Sequence, residues 1–131
     1  MKGIVNLVRS NTPALVFCDS YINIIQRLYA ELSGIEYGKI KEGNLSDEEW
    51  ERIDNAAPVL EDAPLYICDK IIDSAEGYIK EYEDLQMPVE YVFIDRSLEN
   101  IDKNKLIQWG NACGIALEFV NFDDTPQLKK C

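Results

Sequence analysis

Four short apolar runs punctuate this chain: Ala14-Leu-Val-Phe-Cys18, Pro64-Leu-Tyr-Ile-Cys68, Glu90-Tyr-Val-Phe-Ile-Asp95 and Ile115 to Phe122. A run that is apolar at consecutive positions, without polar alternation, is what a strand covered on both faces looks like. Between the runs, apolar residues recur at helical spacing. Ile22, Ile25, Leu28, Tyr29 and Leu32 form one stripe, and Trp50, Ile53, Ala57 and Leu60 a second. Ala75, Tyr78, Ile79, Tyr82 and Leu85 form a third, and Leu106, Ile107 and Trp109 are the candidate core residues of a fourth. Strands that alternate with amphipathic helices cannot be joined by tight hairpins. They build βαβ crossovers, so the pattern predicts an α/β fold with three layers and a parallel sheet of about four strands between helices.

Local signals mark the element ends. Gly3 to Ser10 places Ile4, Leu7 and Val8 at helical spacing before Asn11-Thr12-Pro13 breaks the segment. Asp19 and Ser20 are cap residues for the helix that ends near Ser33-Gly34. Ile35 to Gly43 reads as a short helical turn, and Ser46-Asp-Glu-Glu49 is a capping box. Pro58 falls inside the helix that box opens and predicts a kink or break there. A helix from Lys103 to Cys113 ends at Gly114, and the tail from Asp123 to Cys131 is polar and expected to fray. No repeat, low-complexity stretch or linker interrupts the 131 residues, so residues 1–131 are expected to form a single domain.

Composition narrows the chemistry. With 24 acidic and 13 basic residues the net charge is −11, which argues against nucleic-acid binding through clustered cations. There is no histidine, which removes the commonest general base and metal ligand. Cys18, Cys68, Cys113 and Cys131 form no C-x-x-C pair, so a zinc site is not expected. No apolar run is long enough for a membrane helix, and the N-terminus lacks a signal-peptide core, so a cytoplasmic location with reduced thiols is expected.

Asp19, Asp69, Asp95 and Asp123 each lie at or just past the end of an apolar run. In an open parallel sheet all these ends share one edge, where ligand crevices form. Several carboxylates gathered there could hold Mg²⁺, a hard ion that takes oxygen ligands. Aspartate is also common at such positions simply because it caps helices. Asp95 differs from the others in closing its apolar strand with its own carboxylate. Gly34-Ile-Glu-Tyr-Gly38-Lys39 is one residue too short for G-x-x-x-x-G-K-[ST], has Ile40 where Ser or Thr belongs, and follows a helix rather than a strand. There is no G-x-S-x-G elbow, and no Ser or Cys has a histidine to activate it. Tyr78, Tyr82 and Tyr91 read as core or boundary residues rather than base-stacking platforms.

Ile25-Gln-Arg-Leu-Tyr-Ala-Glu-Leu-Ser-Gly-Ile35, then Lys41-Glu-Gly-Asn-Leu-Ser-Asp-Glu-Glu-Trp-Glu-Arg-Ile53, then Asn55-Ala-Ala and Ala63-Pro-Leu-Tyr-Ile67 form a specific series. It resembles the C-terminal ATPase domain of DnaB-type replicative helicases, where a "Q-R-L…G-I" helix precedes "T-G-N-L-S-D-E-E-W-E-R-L…A-A…L…A-P-L-Y-I-D-D". Glu90 to Asp95 is similar to that family's Walker B strand, Leu106 to Phe122 to its next helix and strand, and Gly3 to Phe17 to the end of its phosphate-loop helix and the strand that follows. The resemblance implies a RecA-like sheet of spatial order 2-1-3-4, numbering strands along the chain. It carries Asp95 to the Walker B aspartate that holds Mg²⁺ through water.

Departures from the family pattern bear on activity. The Walker A loop and the strand before it have no counterpart in these residues. Where the family has a glutamate that activates water, this chain reads Cys18-Asp19-Ser20-Tyr21, with Asp19 the nearest acid and a methylene shorter. The family's Gln sensor is not found at Asn121-Phe122. Phosphoryl transfer depends on positioning the phosphates and neutralising their charge. The expectation is therefore a reduced helicase-core domain that is not an ATPase, has no bound cofactor and docks on a replicative helicase or another replication protein. A second reading is a metal-dependent phosphoryl-group enzyme using the acids on the sheet edge, and a third is a relic with a structural role only. If no strand flanks Ile115 to Phe122, that apolar edge invites a homodimer.

Overall fold

The computed structural model describes residues 2–86, 88–95 and 101–120. They divide into two compact units, one made of Met1–Pro13 and Ser20–Leu65, the other of Ala14–Asp19 and Tyr66–Cys131.

The second unit holds the sheet. Its strands are β1 (Ala14–Cys18), β2 (Leu65–Cys68), β3 (Tyr91–Asp95) and β4 (Ala116–Phe119), arranged in the order β2-β1-β3-β4. β1 pairs parallel with β3, Ala14 beside Tyr91 and Cys18 beside Asp95, and β3 pairs parallel with β4, Tyr91 beside Ala116. The α/β class and the 2-1-3-4 order expected from the sequence are therefore present. Side chains alternate across each strand. Leu15, Phe17, Val92 and Ile94 join one apolar core with Ala75 and Tyr78 of α5 (Ala75–Leu85) and Leu106 of α6 (Lys103–Cys113). The ring of Phe17 meets that of Tyr78 edge-on at 4.8 Å, and Tyr82 meets Trp109 likewise at 5.1 Å. Ala14, Val16, Cys18 and Phe93 lie on the opposite face and are also buried, which is why these strands read as unbroken apolar runs.

The first unit is helical: α1 (Lys2–Arg9), α2 (Tyr21–Ser33), α3 (Tyr37–Glu42) and α4 (Asp47–Glu61). α2 packs on α1, α3 and α4, and α1 also packs on α4. The caps act as the sequence predicts. The Ser20 hydroxyl accepts from the Asn23 N–H, Gly34 closes α2 in the left-handed conformation at φ 76°, and Ser46 and Glu49 complete a reciprocal capping box. Arg27 stacks 4.1 Å from the centre of the Tyr37 ring, tying α2 to α3.

The structure corrects several sequence expectations. α2 buries Leu28 of the predicted stripe, with Ile25, Tyr29 and Leu32 half-buried, but it also buries Ile24 from outside that stripe and leaves Ile22 63% exposed. With apolar residues at 22, 24 and 25, periodicity fits more than one face, and packing chooses among them. α4 buries Ala56 and Leu60 and leaves Trp50 48% exposed, and in α6 Ile107 is likewise exposed beside the fully buried Leu106. Pro58 does not break α4, which runs on to Glu61. A proline removes only its own N–H bond and crowds the carbonyl one turn back. Here that residue is the exposed Asp54, and the last turn is held by Asp62 N–H donating to the Pro58 carbonyl and by buried Leu60. β4 is shorter than the predicted Ile115 to Phe122 at its start, because the Ile115 N–H donates to the Gly110 carbonyl and closes α6. Asn121, Phe122 and the tail from Asp123 to Cys131 lie outside the described residues.

Leu106 is fully buried against the sheet, so Leu106→Ala is expected to cost about 3 kcal/mol through lost transfer energy and a residual cavity. Urea unfolding should show a lower midpoint with an unchanged slope.

Candidate functional site

Parallel pairing brings the ends of β1 and β3 to one edge of the sheet. Asp95 is the last residue of β3, and its register partner is Cys18, the last residue of β1. Asp95 is the buried charged residue of the described chain, 8% exposed. Burying a carboxylate is costly unless it is engaged, and Cys18, Asp19 and Asp95 all make interactions. Asp19 follows directly and is exposed, as is Asp69 just past β2. Asp123 lies outside the described residues.

The sheet thus places Asp19, Asp69 and Asp95 at strand ends on one edge, as the sequence implied, but proximity in topology is not a coordination sphere. Among the described residues, no group of three or more Cys, Asp or Glu side chains is close enough to hold a metal ion. Magnesium is usually bound by one or two carboxylates together with substrate phosphates. Asp95 is the buried carboxylate that the described residues place at this edge, with exposed Asp19 and Asp69 at the neighbouring strand ends. Lys70, which follows Asp69, is paired with Glu81: its ammonium lies 3.0 Å from that carboxylate, which holds its pKa above the usual lysine value. No disulfide joins Cys18, Cys68 or Cys113.

The near-miss for a phosphate loop resolves into ordinary helix geometry. Gly34 is the left-handed cap of α2, and Gly38 and Lys39 lie within α3. Lys39 reaches the Glu49 carboxylate at 2.7 Å and so braces α3 against the start of α4. The bond from Lys39 and the N–H of Ser46 hold the Glu49 carboxyl below the usual glutamate range. In the same unit the Tyr29 phenol is pushed above its usual value, first by burial and then by Glu61 and Tyr21.

Sequence reasoning did not find a second feature. α1, α2 and α4 enclose a cleft of about 450 Å³ within the helical unit. Arg52, Asn55, Ala56 and Val59 line it from α4 at helical spacing, Leu32 and Ser33 from the last turn of α2, and Arg9 from the last turn of α1. None of the α4 residues read as a stripe in the sequence lines it, and Arg9 lies far from α4 in the chain, so only the fold brings these residues together.

The family model for the DnaB-like helicase C-terminal domain matches residues 5–106 of this chain. No curated protein matches it in sequence. Among solved structures it is similar to an ATPase domain at 15% identity and a TM-score of 0.72, covering 97% of this chain and 52% of that one. It is also similar to a DnaB-like replicative helicase solved to show its interactions with primase, at 15% identity and a TM-score of 0.69, over 88% of this chain and 34% of that one. The chain thus spans about half the length of the first structure and about a third of the second. Among the described residues, no helix is long and apolar enough to cross a membrane.

Because the Glu49 carboxyl sits below its usual value, the stability it contributes is present above the ordinary glutamate pKa and is lost as pH falls through the folded value. Lys39→Met should therefore move the Glu49 titration upward. Carboxyl-carbon NMR across the acidic range reads this directly, and an unchanged Glu49 midpoint would show that the Ser46 N–H alone sets it.

Proposed function

This chain belongs to the DnaB-like helicase C-terminal domain family, and from that membership we propose that it is a non-catalytic, helicase-core-like module that works by protein interaction in DNA replication. The observation that carries the reading is the contrast between what is kept and what is missing in these 131 residues. The sheet order, the capping box and the Asp95 position are kept, but no strand–G-x-x-x-x-G-K-[ST]–helix unit occurs among them. A helix N-terminus and Gly-rich backbone aimed at the phosphates supply the binding energy for a nucleotide, and Asp95 alone does not replace them. In this reading Asp95 is a vestigial Walker B aspartate and Asp19 stands in for the family's activating acid without acting as one. A metal-dependent phosphoryl-group enzyme built on the acidic edge has less support, since no trio of ligands gathers there among the described residues.

The proposed partner is a replicative helicase or another replication protein. One structural neighbour is a replicative helicase that interacts with primase, which supports placing the module among replication proteins. The reading places it in the cytoplasm. A second copy of this chain is a further partner. Among the described residues β4 ends the sheet order, with Ala116 and Glu118 exposed, and a strand at a sheet edge carries unpaired N–H and C=O groups.

Titration calorimetry with Mg²⁺ and ATP should give no saturable heat at about millimolar concentration, where even a weak site would register. The replicative helicase of the source cell should bind the chain and change its ATPase rate on doing so. A saturable ATP signal abolished by Asp95→Asn, or a helicase that neither binds nor responds, would reject the proposal.

Self-association is tested separately. Sedimentation equilibrium at high micromolar concentration should show a concentration-dependent dimer. A monomer throughout removes the second copy as a partner and leaves the helicase reading to stand on its own test.

A further inference from the structure

We propose that the cleft among α1, α2 and α4 binds a small organic anion, a carboxylate or phosphate group carrying a short apolar body, with Arg9 and Arg52 holding the head. The inference is independent of the replication reading. It starts from charge accounting. In a chain with 24 acidic and 13 basic residues, basic side chains should find acidic partners readily. Most do. Lys39 pairs with Glu49, Arg52 with Glu48, Lys70 with Glu81, Lys80 with Asp84 and Lys105 with Glu76. Arg27 and Lys41 lie over the Tyr37 ring, and Lys103 over Phe119. Arg9 is the exception among the described basic side chains: neither a carboxylate nor an aromatic ring partners it. It is also the one contributed by α1 to the cleft.

The second cation there is only loosely committed. Arg52 meets Glu48 at 3.4 Å on an exposed helix face, a pairing worth little in water, so its planar fork can turn toward a ligand. Asn55 adds an amide one turn along α4. Ser33 is excluded as a donor, because its hydroxyl already donates to the Tyr29 carbonyl at 2.6 Å and accepts from the Ile35 N–H. Leu32, Ala56 and Val59 supply the apolar lining, and Val59 is 41% exposed. A cleft of about 450 Å³ with an apolar wall and a few convergent polar groups has the size and make-up of a small-molecule site. Guanidinium groups recognise the planar or tetrahedral oxyanion, which fixes the charge of the ligand and leaves the choice of head group to experiment.

The experiment is an amide NMR titration of the full chain with phenyl phosphate, phenylacetate, inorganic phosphate and benzyl alcohol. At least one of the two aromatic anions should give saturable shifts confined to the last turns of α1 and α2 and to the cleft side of α4. The tighter of the two identifies the head group. Inorganic phosphate should bind more weakly than the preferred anion, and benzyl alcohol should not saturate. Arg9→Gln should weaken binding about tenfold through loss of a charge-assisted hydrogen bond. Lys41→Gln, which removes the same charge from exposed α3, should leave it unchanged. Both sites are exposed, and an unaltered amide spectrum outside the substituted turn verifies the fold. The proposal is overturned if neither aromatic anion saturates, if benzyl alcohol binds as well as they do, if inorganic phosphate matches the better anion, or if Arg9→Gln and Lys41→Gln behave alike.

Discussion

Parallel pairing of β1 with β3 constrains everything else in this molecule. Parallel neighbours cannot be joined by a hairpin, so the chain must leave the sheet after Cys18 and return before Tyr91. In between it builds α2, α3, α4, β2 and α5. The register also decides chemistry. With Ala14 beside Tyr91, the strands finish level, and buried Asp95 comes to lie next to buried Cys18 at the end of the sheet where ligands bind in folds of this kind. A slip of one residue would turn Leu15, Phe17, Val92 and Ile94 out of the core they share with Tyr78 and Leu106.

A sheet edge that keeps its aspartate keeps one part of what phosphoryl transfer uses, and the proposed interaction role rests on how little one such part does by itself. Phosphoryl transfer needs little covalent help but a great deal of positioning. One carboxylate, however well buried, positions nothing on its own. The same logic separates the two acidic neighbours: Asp19 is exposed and Asp95 is buried, so only the second has an environment unlike water.

Charge is distributed unevenly in consequence. Among the described residues, five cations are claimed by carboxylates, in the i,i+4 pairs on α4 and α5 and in bridges such as Lys39–Glu49 that hold one helix to the next. Exposed pairs of this kind contribute little individually. Their larger effect is to leave few cations for any ligand, which gives the position of Arg9 its meaning.

Much of the architecture was determined by the sequence by itself. The unbroken apolar runs, the capping Ser20 and Ser46 and the left-handed Gly34, Gly43 and Gly114 are local signals, because caps and strand propensity act over a few residues. Strand order came through resemblance rather than periodicity, and Asp95 was legible because a carboxylate closing an apolar strand is unusual in itself. Tertiary structure alone decided which stripe each helix buries, since Ile22, Ile24 and Ile25 satisfy a helical period on different faces and only packing selects Ile24. It also decided that α4 continues past Pro58, because the carbonyl left without a partner belongs to exposed Asp54. And it assembled the cleft, which Arg9 and Arg52 both line although no local rule connects them: where two side chains far apart in the chain come to lie is set by the fold, not by the sequence that separates them.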